Sequence, residues 1–71
     1  MSYKNIRSIR EDNDITQQQM AELLSISQNT YSQYETGKIE WPVSTLIKIA
    51  DYFDVSVDYL LDRTKNKRRN E

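Results

Sequence analysis

A row of amide and hydroxyl side chains lies near the middle of the chain, at Gln28, Asn29, Ser32 and Gln33. Amides of Gln and Asn can form two hydrogen bonds with N6 and N7 of adenine, and Ser hydroxyls can contact several base edges. Lys and Glu, which are common on merely solvated faces, do not interrupt this row. An ordinary solvated polar face is the alternative interpretation, but the residue types favour reading of nucleic-acid bases.

Two short helices joined by a tight turn are predicted to position this row, within residues 16–37. The apolar residues recur at helical spacing in both halves of this segment: Met20, Ala21 and Leu24, then Tyr31 and Tyr34. Thr16 and Gln19 have the spacing of a capping box, which starts the first helix (helix 2 of the chain). Helix 3 is predicted from Gln28 to Thr36, with Ser27 as its cap and Gly37 at its end.

The remaining residues predict an all-α domain over residues 1–62. Helix 1 is expected at about residues 3–12, with Ile6, Ile9 and Arg10 on its inner face. Helix 4 is expected to have Pro42 in its first turn and an apolar stripe at Leu46, Ile49, Ala50 and Phe53. Helix 5 is expected after Ser56, with Val57, Leu60 and Leu61 pointing inward. Residues 63–71 contain no apolar side chain, so this tail is expected to be disordered.

Composition excludes several classes of function. The chain has 71 residues and neither Cys nor His, which removes disulfides, thiol nucleophiles, imidazole bases and the usual zinc ligand sets. No nucleophile with a base and no phosphate loop is present, so an enzyme is disfavoured. Asp51, Asp54 and Asp58 lack the spacing of a metal-binding loop and fit a solvated face and a helix cap better. No cofactor, metal or small-molecule ligand is therefore expected.

Charge and hydropathy bear on location and partners. The net charge is -1, but residues 1–62 hold five basic against ten acidic side chains, whereas residues 63–71 hold five basic side chains against one acidic side chain. Non-specific binding to nucleic acid should therefore be weak and salt-dependent. No apolar run approaches the roughly 20 residues of a membrane helix, and the N-terminus has no signal-peptide pattern. A cytoplasmic protein without a membrane partner is expected.

Residues 3–62 resemble the phage repressor and Cro-like (lambda-repressor-like) helix-turn-helix family. The apolar or small positions of its motif are occupied here by Met20, Ala21, Leu24, Ile26, Tyr31 and Tyr34. The stretch from Glu35 to Lys38 and residues 46–61 are similar to the closing segment of the same family. The resemblance implies a compact five-helix DNA-binding domain in which helices 2 and 3 form the helix-turn-helix.

The resemblance also assigns roles to individual residues. It implies base reading by Gln28, Asn29 and Gln33, with Ser32 as a further candidate. Backbone contacts are implied for Gln17 and Lys38, while Ser27 is divided between capping and a phosphate contact. A structural ion pair is implied between Arg10 and Glu35, joining helix 1 to helix 3. For Gln17 and Lys38, ordinary exposed positions remain the alternative.

Dimerisation is a further expectation, because a small domain with surplus apolar residues on its last helix suits a self-complementary two-fold contact. The resemblance implies dimer surfaces at helix 5 and at the loop before helix 4, which makes Val57, Tyr59 and Leu61 the candidates. Two placements suit Trp41, the only tryptophan: a cover over the end of the core, which is slightly favoured, or a dimer contact.

The sequence departs from the family pattern at two positions. Ser25 stands where the turn usually has a glycine, so it is expected to have positive φ at a cost of about 1 kcal/mol relative to Gly. Trp41 stands where proline is frequent, and Pro42 follows it. The function predicted is that of a homodimeric repressor reading a palindromic operator through helix 3. The alternative is a protein-interaction module, such as an antitoxin or anti-repressor, with secondary DNA binding.

Overall fold

Five α-helices account for the regular structure of the chain in the computed structural model, which describes residues 3–68. They are α1 (Lys4–Asp12), α2 (Gln17–Leu24), α3 (Gln28–Thr36), α4 (Val43–Phe53) and α5 (Val57–Leu60). No strand occurs within these described residues. The predicted all-α architecture, with a helix-turn-helix at α2 and α3, is confirmed.

Local capping signals define the ends of the two central helices. Thr16 forms a complete capping box with Gln19, because each side chain accepts a backbone N–H of the other residue. The Ser27 side chain caps α3, and Gly37 ends it in the left-handed region at φ 81°. Pro42 was predicted inside the first turn of α4, but it lies one position earlier, as the N-cap. Its extended ψ of 144° places it outside the helix proper.

The hydrophobic core lies between the helices and takes side chains from all five of them. Its most deeply buried members are Tyr31, Ile6, Met20, Ile49 and Leu60. Ile15, Phe53, Val57 and Leu61 are half-buried and pack against this core. The apolar side chains that recur at helical spacing in the sequence therefore face the core, as predicted.

The α2–α3 turn depends on Ser25, which lies in the left-handed region at φ 58° and ψ 42°. In that conformation the Ser25 N–H donates to Glu22 O, and the Ile26 N–H donates to Ala21 O. The expected positive φ at this non-glycine residue is thus present. Because a Cβ disfavours this region, the position carries backbone strain.

The end of the helical domain is joined to its beginning by Asp62. Its two carboxylate oxygens accept the backbone N–H groups of Lys4 and Asn5, each at 3.0 Å. The Asn5 side-chain amide in turn donates to Tyr59 O at 2.8 Å. Tyr3, the N-cap of α1, provides no side-chain cap, so Asp62 supplies one from the far end of the domain.

Residues 63–68 are the described part of the basic tail, whose expected disorder stays a prediction. These residues have bends and irregular backbone, and the Lys67 carbonyl accepts the Ser56 N–H at 3.1 Å. The Lys67 ammonium lies 5.7 Å from the centre of the Tyr59 ring, within the range of a cation–π contact. Backbone hydrogen bonds and this ring contact hold a segment that has no apolar side chain. Residues 69–71 of the tail lie outside the described residues.

Candidate nucleic-acid interface

The outward surface of α3 has the polar row found in the sequence. Gln28 and Asn29, in the first turn of α3, are exposed. Ser32 and Gln33, one turn further along, are half-buried. The first two amides are therefore the most accessible hydrogen-bonding side chains of the row, and together they offer donors and acceptors of the kind that base edges require.

Ser27 acts as a cap in this structure. Its Oγ accepts the Thr30 backbone N–H at 3.1 Å and donates to Thr30 Oγ1 at 2.9 Å. The hydroxyl proton is thus already used within α3. Of the two roles expected for Ser27, capping is the one seen, and a phosphate contact would require the hydroxyl to turn away from Thr30.

Four hydrogen-bonded side chains form a polar cluster where α3 meets α1 and α2: Arg10, Gln17, Tyr31 and Glu35. Arg10 Nε lies 2.7 Å from Glu35 Oε2, and Arg10 Nη2 lies 3.2 Å from Glu35 Oε1. These side chains are 9% and 4% exposed, so the ion pair expected between helices 1 and 3 is a buried, two-pronged one. Arg10 Nη1 also donates to Ile15 O at 2.8 Å, which satisfies a further donor of the guanidinium.

Two more donors complete the Glu35 site. Tyr31 donates its hydroxyl proton to Glu35 Oε2 at 2.5 Å, and Gln17 Nε2 donates to Glu35 Oε1 at 3.1 Å. Each carboxylate oxygen therefore accepts two hydrogen bonds. Since a carboxylate has about four acceptor positions, those of Glu35 are all filled.

Burial and these hydrogen bonds shift the pKa values of three groups in the cluster: Glu35, Arg10 and Tyr31. Burial alone would raise the pKa of the Glu35 carboxyl, but the hydrogen bonds from Arg10, Tyr31 and Gln17 outweigh it and lower that pKa below its ordinary value. The hydrogen bond with Glu35 raises the pKa of Arg10. Burial, followed by the hydrogen bond to Glu35, raises the pKa of the Tyr31 phenol. The site thus holds one negative and one positive charge with a neutral phenol.

The two residues expected to contact the DNA backbone, Gln17 and Lys38, both lie near the C-terminal end of α3. Gln17 is the first residue of α2 and is half-buried, because its amide reaches back to Glu35. Lys38 follows the Gly37 cap and is exposed. Its backbone N–H donates to Gln33 O at 2.9 Å, which fixes the start of the loop while the side chain remains at the surface.

Trp41 packs against α3 from the loop before α4. Its ring stacks on Tyr34 at 4.9 Å and meets Tyr31 edge-on at 5.8 Å. Trp41 and Tyr59 are each only 7% exposed, so they pack inside the domain and leave little surface for a second copy. Trp41 has the core-covering placement. Among the dimer candidates, Val57 and Leu61 retain more accessible surface.

Residues 3–68 contain neither a candidate metal cluster nor a candidate membrane span. Among the described residues, no group of three or more acidic side chains could hold a metal ion. Asp51, Asp54 and Asp58 are exposed. None of the helices within residues 3–68 has the length and apolar character needed to cross a membrane.

Sequence reasoning missed three of these contacts. The Tyr31 hydroxyl was assigned only to the core, although Glu35 stands four residues later, at the spacing of facing side chains on a helix. The bond from the Ser27 hydroxyl to Thr30 Oγ1 was also missed, whereas the cap itself, from the Thr30 N–H to Ser27 Oγ, agrees with the predicted role of Ser27. Asp62 gave no local signal, because the residues that it caps are almost the whole chain length away.

Comparisons with known proteins agree with this architecture. A sequence profile of the helix-turn-helix family matches residues 6–60, and the chain belongs to this lambda-repressor-like family. The uncharacterized HTH-type transcriptional regulator YqaE of Bacillus subtilis (strain 168) is 40% identical over 68 residues, which are 96% of this chain and 59% of YqaE. The cryptic phage CTXphi transcriptional repressor RstR of Vibrio cholerae serotype O1 is 38% identical over 56 residues, covering 79% of this chain and 50% of RstR.

A solved structure has the same fold. The crystal structure of a transcriptional regulator from Listeria innocua superposes with a TM-score of 0.80 and 25% sequence identity, covering 93% of this chain and 64% of that chain. The chain spans between half and three fifths of the length of YqaE and RstR.

Proposed function

We propose that the chain is a sequence-specific, double-stranded DNA-binding transcriptional regulator in the cytoplasm, and that it acts as a repressor. In this proposal α3 enters the major groove, where Gln28, Asn29 and Gln33 read bases and Ser32 adds a contact. Gln17 and Lys38 contact the DNA backbone. Binding to the operator would block transcription by occupancy, without chemistry and without a cofactor.

The observation that carries this proposal is the contrast between the two faces of α3. Its outward first turn has two exposed amides, Gln28 and Asn29, while Tyr31 on the inward face is fully buried. Glu35, near the end of the helix, is tied to α1 and α2 through Arg10 and Gln17. A helix that reads bases needs both exposed amides and an anchored inner side, because bidentate base contacts require side chains to be held at a defined depth and angle.

A homodimer on a palindromic operator is part of the proposal. Two copies related by a two-fold axis would place their α3 helices about 34 Å apart, which is one turn of B-DNA. Val57 and Leu61, half-buried on and beside α5, are the proposed contact residues. Residues 1–62 have ten acidic side chains, so their non-specific attraction to DNA is weak. Binding of two half-sites by a dimer would offset this weakness.

Selection of bound sequences from random duplex DNA tests this proposal directly. The purified protein should enrich a palindrome with half-sites one helical turn apart. In the enriched duplex, Gln28→Ala with Asn29→Ala should weaken binding at least about tenfold, since each bidentate pair discriminates by about 1–3 kcal/mol. Ser8→Ala, at an exposed position of α1, is the control and should bind normally. Unchanged affinity in the double variant would refute base reading by α3.

A protein-interaction module remains the second candidate, favoured by the acidic body and by exposed apolar side chains on α4. Val43 is 71% exposed and Ile47 is 47% exposed, one turn apart on the same helix. If selection enriches no sequence and the folded protein binds duplex DNA only weakly at physiological salt, this candidate replaces the first.

A further inference from the structure

Tyr31 has a hydroxyl that the core does not need. The residue is fully buried and its ring packs edge-on against Trp41. A phenylalanine would supply the same packing without bringing a polar group into the interior. The hydroxyl is nevertheless hydrogen-bonded to Glu35 Oε2 at 2.5 Å, so its contribution has to be found at that carboxylate.

At the Glu35 carboxylate, Tyr31 is the donor with the least freedom to move. Arg10 and Gln17 reach the carboxylate from α1 and α2 through longer side chains with more torsions, and the Arg10 side chain is buried and also bonded to Ile15 O. The Tyr31 ring has only two side-chain torsions and is enclosed by the core, and it lies one helical turn before Glu35 on α3. The hydroxyl therefore fixes Glu35 Oε2 from within α3, in addition to the bonds that Arg10 makes to both oxygens from α1. The plane of the carboxylate then sets the direction of Oε1.

That other oxygen, Glu35 Oε1, is the one that accepts the Gln17 amide at 3.1 Å. A Gln amide has two N–H donors and one carbonyl oxygen, so a bond from one N–H to Glu35 leaves capacity for a second partner. Gln17 is half-buried at the first position of α2, where the helix N-terminus also favours an anion. Holding this amide in advance would remove an ordering cost from binding.

We propose that the Tyr31 hydroxyl is a positioning group for DNA recognition: through Glu35 it holds the Gln17 amide in place for a phosphate oxygen of the duplex. This inference rests on the proposed function, because it gives Gln17 a DNA phosphate as partner. It makes Tyr31 a positioning residue without direct DNA contact. The rival role is purely structural, in which the hydroxyl only satisfies a buried carboxylate.

The test is Tyr31→Phe, compared with Tyr59→Phe as a matched control. Both tyrosines are buried, but Tyr59 belongs to α5 and is bonded to the Asn5 side chain through its backbone carbonyl. In the free protein, side-chain ¹⁵N relaxation of the Gln17 amide should show a lower order parameter in Tyr31→Phe and no change in Tyr59→Phe. An unchanged Gln17 order parameter in Tyr31→Phe overturns the inference.

A double-mutant cycle on the selected duplex separates positioning from a structural role. Tyr31→Phe should weaken binding on the order of tenfold in the wild-type background and have little effect when Gln17 is already alanine. Equal losses in the two backgrounds would mean that Tyr31 does not act through Gln17, and would overturn the inference while leaving DNA binding intact. If the wild-type protein selects no duplex, the proposed function fails, and the relaxation measurement still decides whether Tyr31 holds Gln17.

Discussion

Arg10 and Glu35 form a buried ion pair, with 2.7 Å between Arg10 Nε and Glu35 Oε2, that joins α1 to the end of α3. Every acceptor position of the carboxylate is filled, and the guanidinium has an additional acceptor at Ile15 O. Burial of two charges costs desolvation free energy, which is offset only when the hydrogen-bonding groups of both partners are satisfied, as they are here. The orientation of α3 therefore depends on a polar cluster as well as on apolar packing.

Glu35→Gln should destabilise the fold by about 3 kcal/mol, because it leaves the Arg10 charge buried without its counter-ion. Glu11→Gln is the matched control: Glu11 pairs with Arg7 at 3.3 Å, but both side chains are more than half exposed. That change should cost less than about 1 kcal/mol. Urea unfolding followed by Trp41 fluorescence measures both variants. Similar losses in the two would show that burial adds nothing to the Arg10–Glu35 pair.

Acid should unfold the protein partly through Glu35. The pKa of this carboxyl is lower in the folded state than in the unfolded state, so its contribution to stability is fully present above the unfolded value, about 4.3, and is lost as the pH falls through the folded value. Between pH 6 and pH 3, the free energy of unfolding should therefore fall more steeply in the wild type than in Glu35→Gln. Parallel pH profiles of the two proteins would contradict this assignment.

Ser25→Gly should stabilise the protein by about 1 kcal/mol, since glycine adopts the observed φ of 58° without the penalty of a Cβ. For a domain of this size the melting temperature should rise by about 4–8 °C. Ser8→Gly makes the same chemical change inside α1, where it should instead lower the melting temperature. Differential scanning calorimetry of the wild type and both variants gives the three melting temperatures. A lower melting temperature in Ser25→Gly would show that glycine does not stabilise the turn.

Much of this fold was predictable because its signals are local. The capping box at Thr16 and Gln19 and the glycine at Gly37 set helix ends from residues within one turn of each other. The boundary of α4 was misplaced by one position, because proline suits both the N-cap and the first helical turn. The capping role of Asp62 could not be predicted from local sequence, because Lys4 and Asn5 approach it only when α5 packs on α1.

The candidate site was predictable to a different degree at each residue. The exposure of Gln28 and Asn29 follows from the periodicity of α3, which turns Tyr31 inward. The Arg10–Glu35 pair came from the family resemblance and could not be derived from spacing, because 25 residues separate the two. The additional bonds from Gln17 and Tyr31 depend on the depth of Glu35 in the tertiary structure. No pattern within one helix encodes that depth.

Asp62→Asn should weaken the join between the two ends of the domain. Asn tolerates the observed φ of 60°, but it keeps only one acceptor oxygen and loses the charge that favours the N-terminus of α1. We expect a loss of about 0.5–1 kcal/mol and faster hydrogen exchange at the Lys4 and Asn5 amides. Asp12→Asn, at the exposed end of α1, is the control. Unaltered exchange at both amides would exclude Asp62 as their cap in solution.

Lys38 provides the test of backbone contacts under the proposed function. Its side chain is exposed just beyond α3, so a phosphate contact would release about one counter-ion from the duplex. Lys38→Ala should weaken binding by a similar factor for every selected sequence and reduce the slope of log K against log salt by about 1. Lys48→Ala removes the same charge from an exposed position of α4 and should leave the slope nearly unchanged. Fluorescence anisotropy titrations at several salt concentrations give both slopes. If the two variants shift them equally, Lys38 acts only through net charge, whereas a slope that falls in Lys38→Ala alone identifies a local contact.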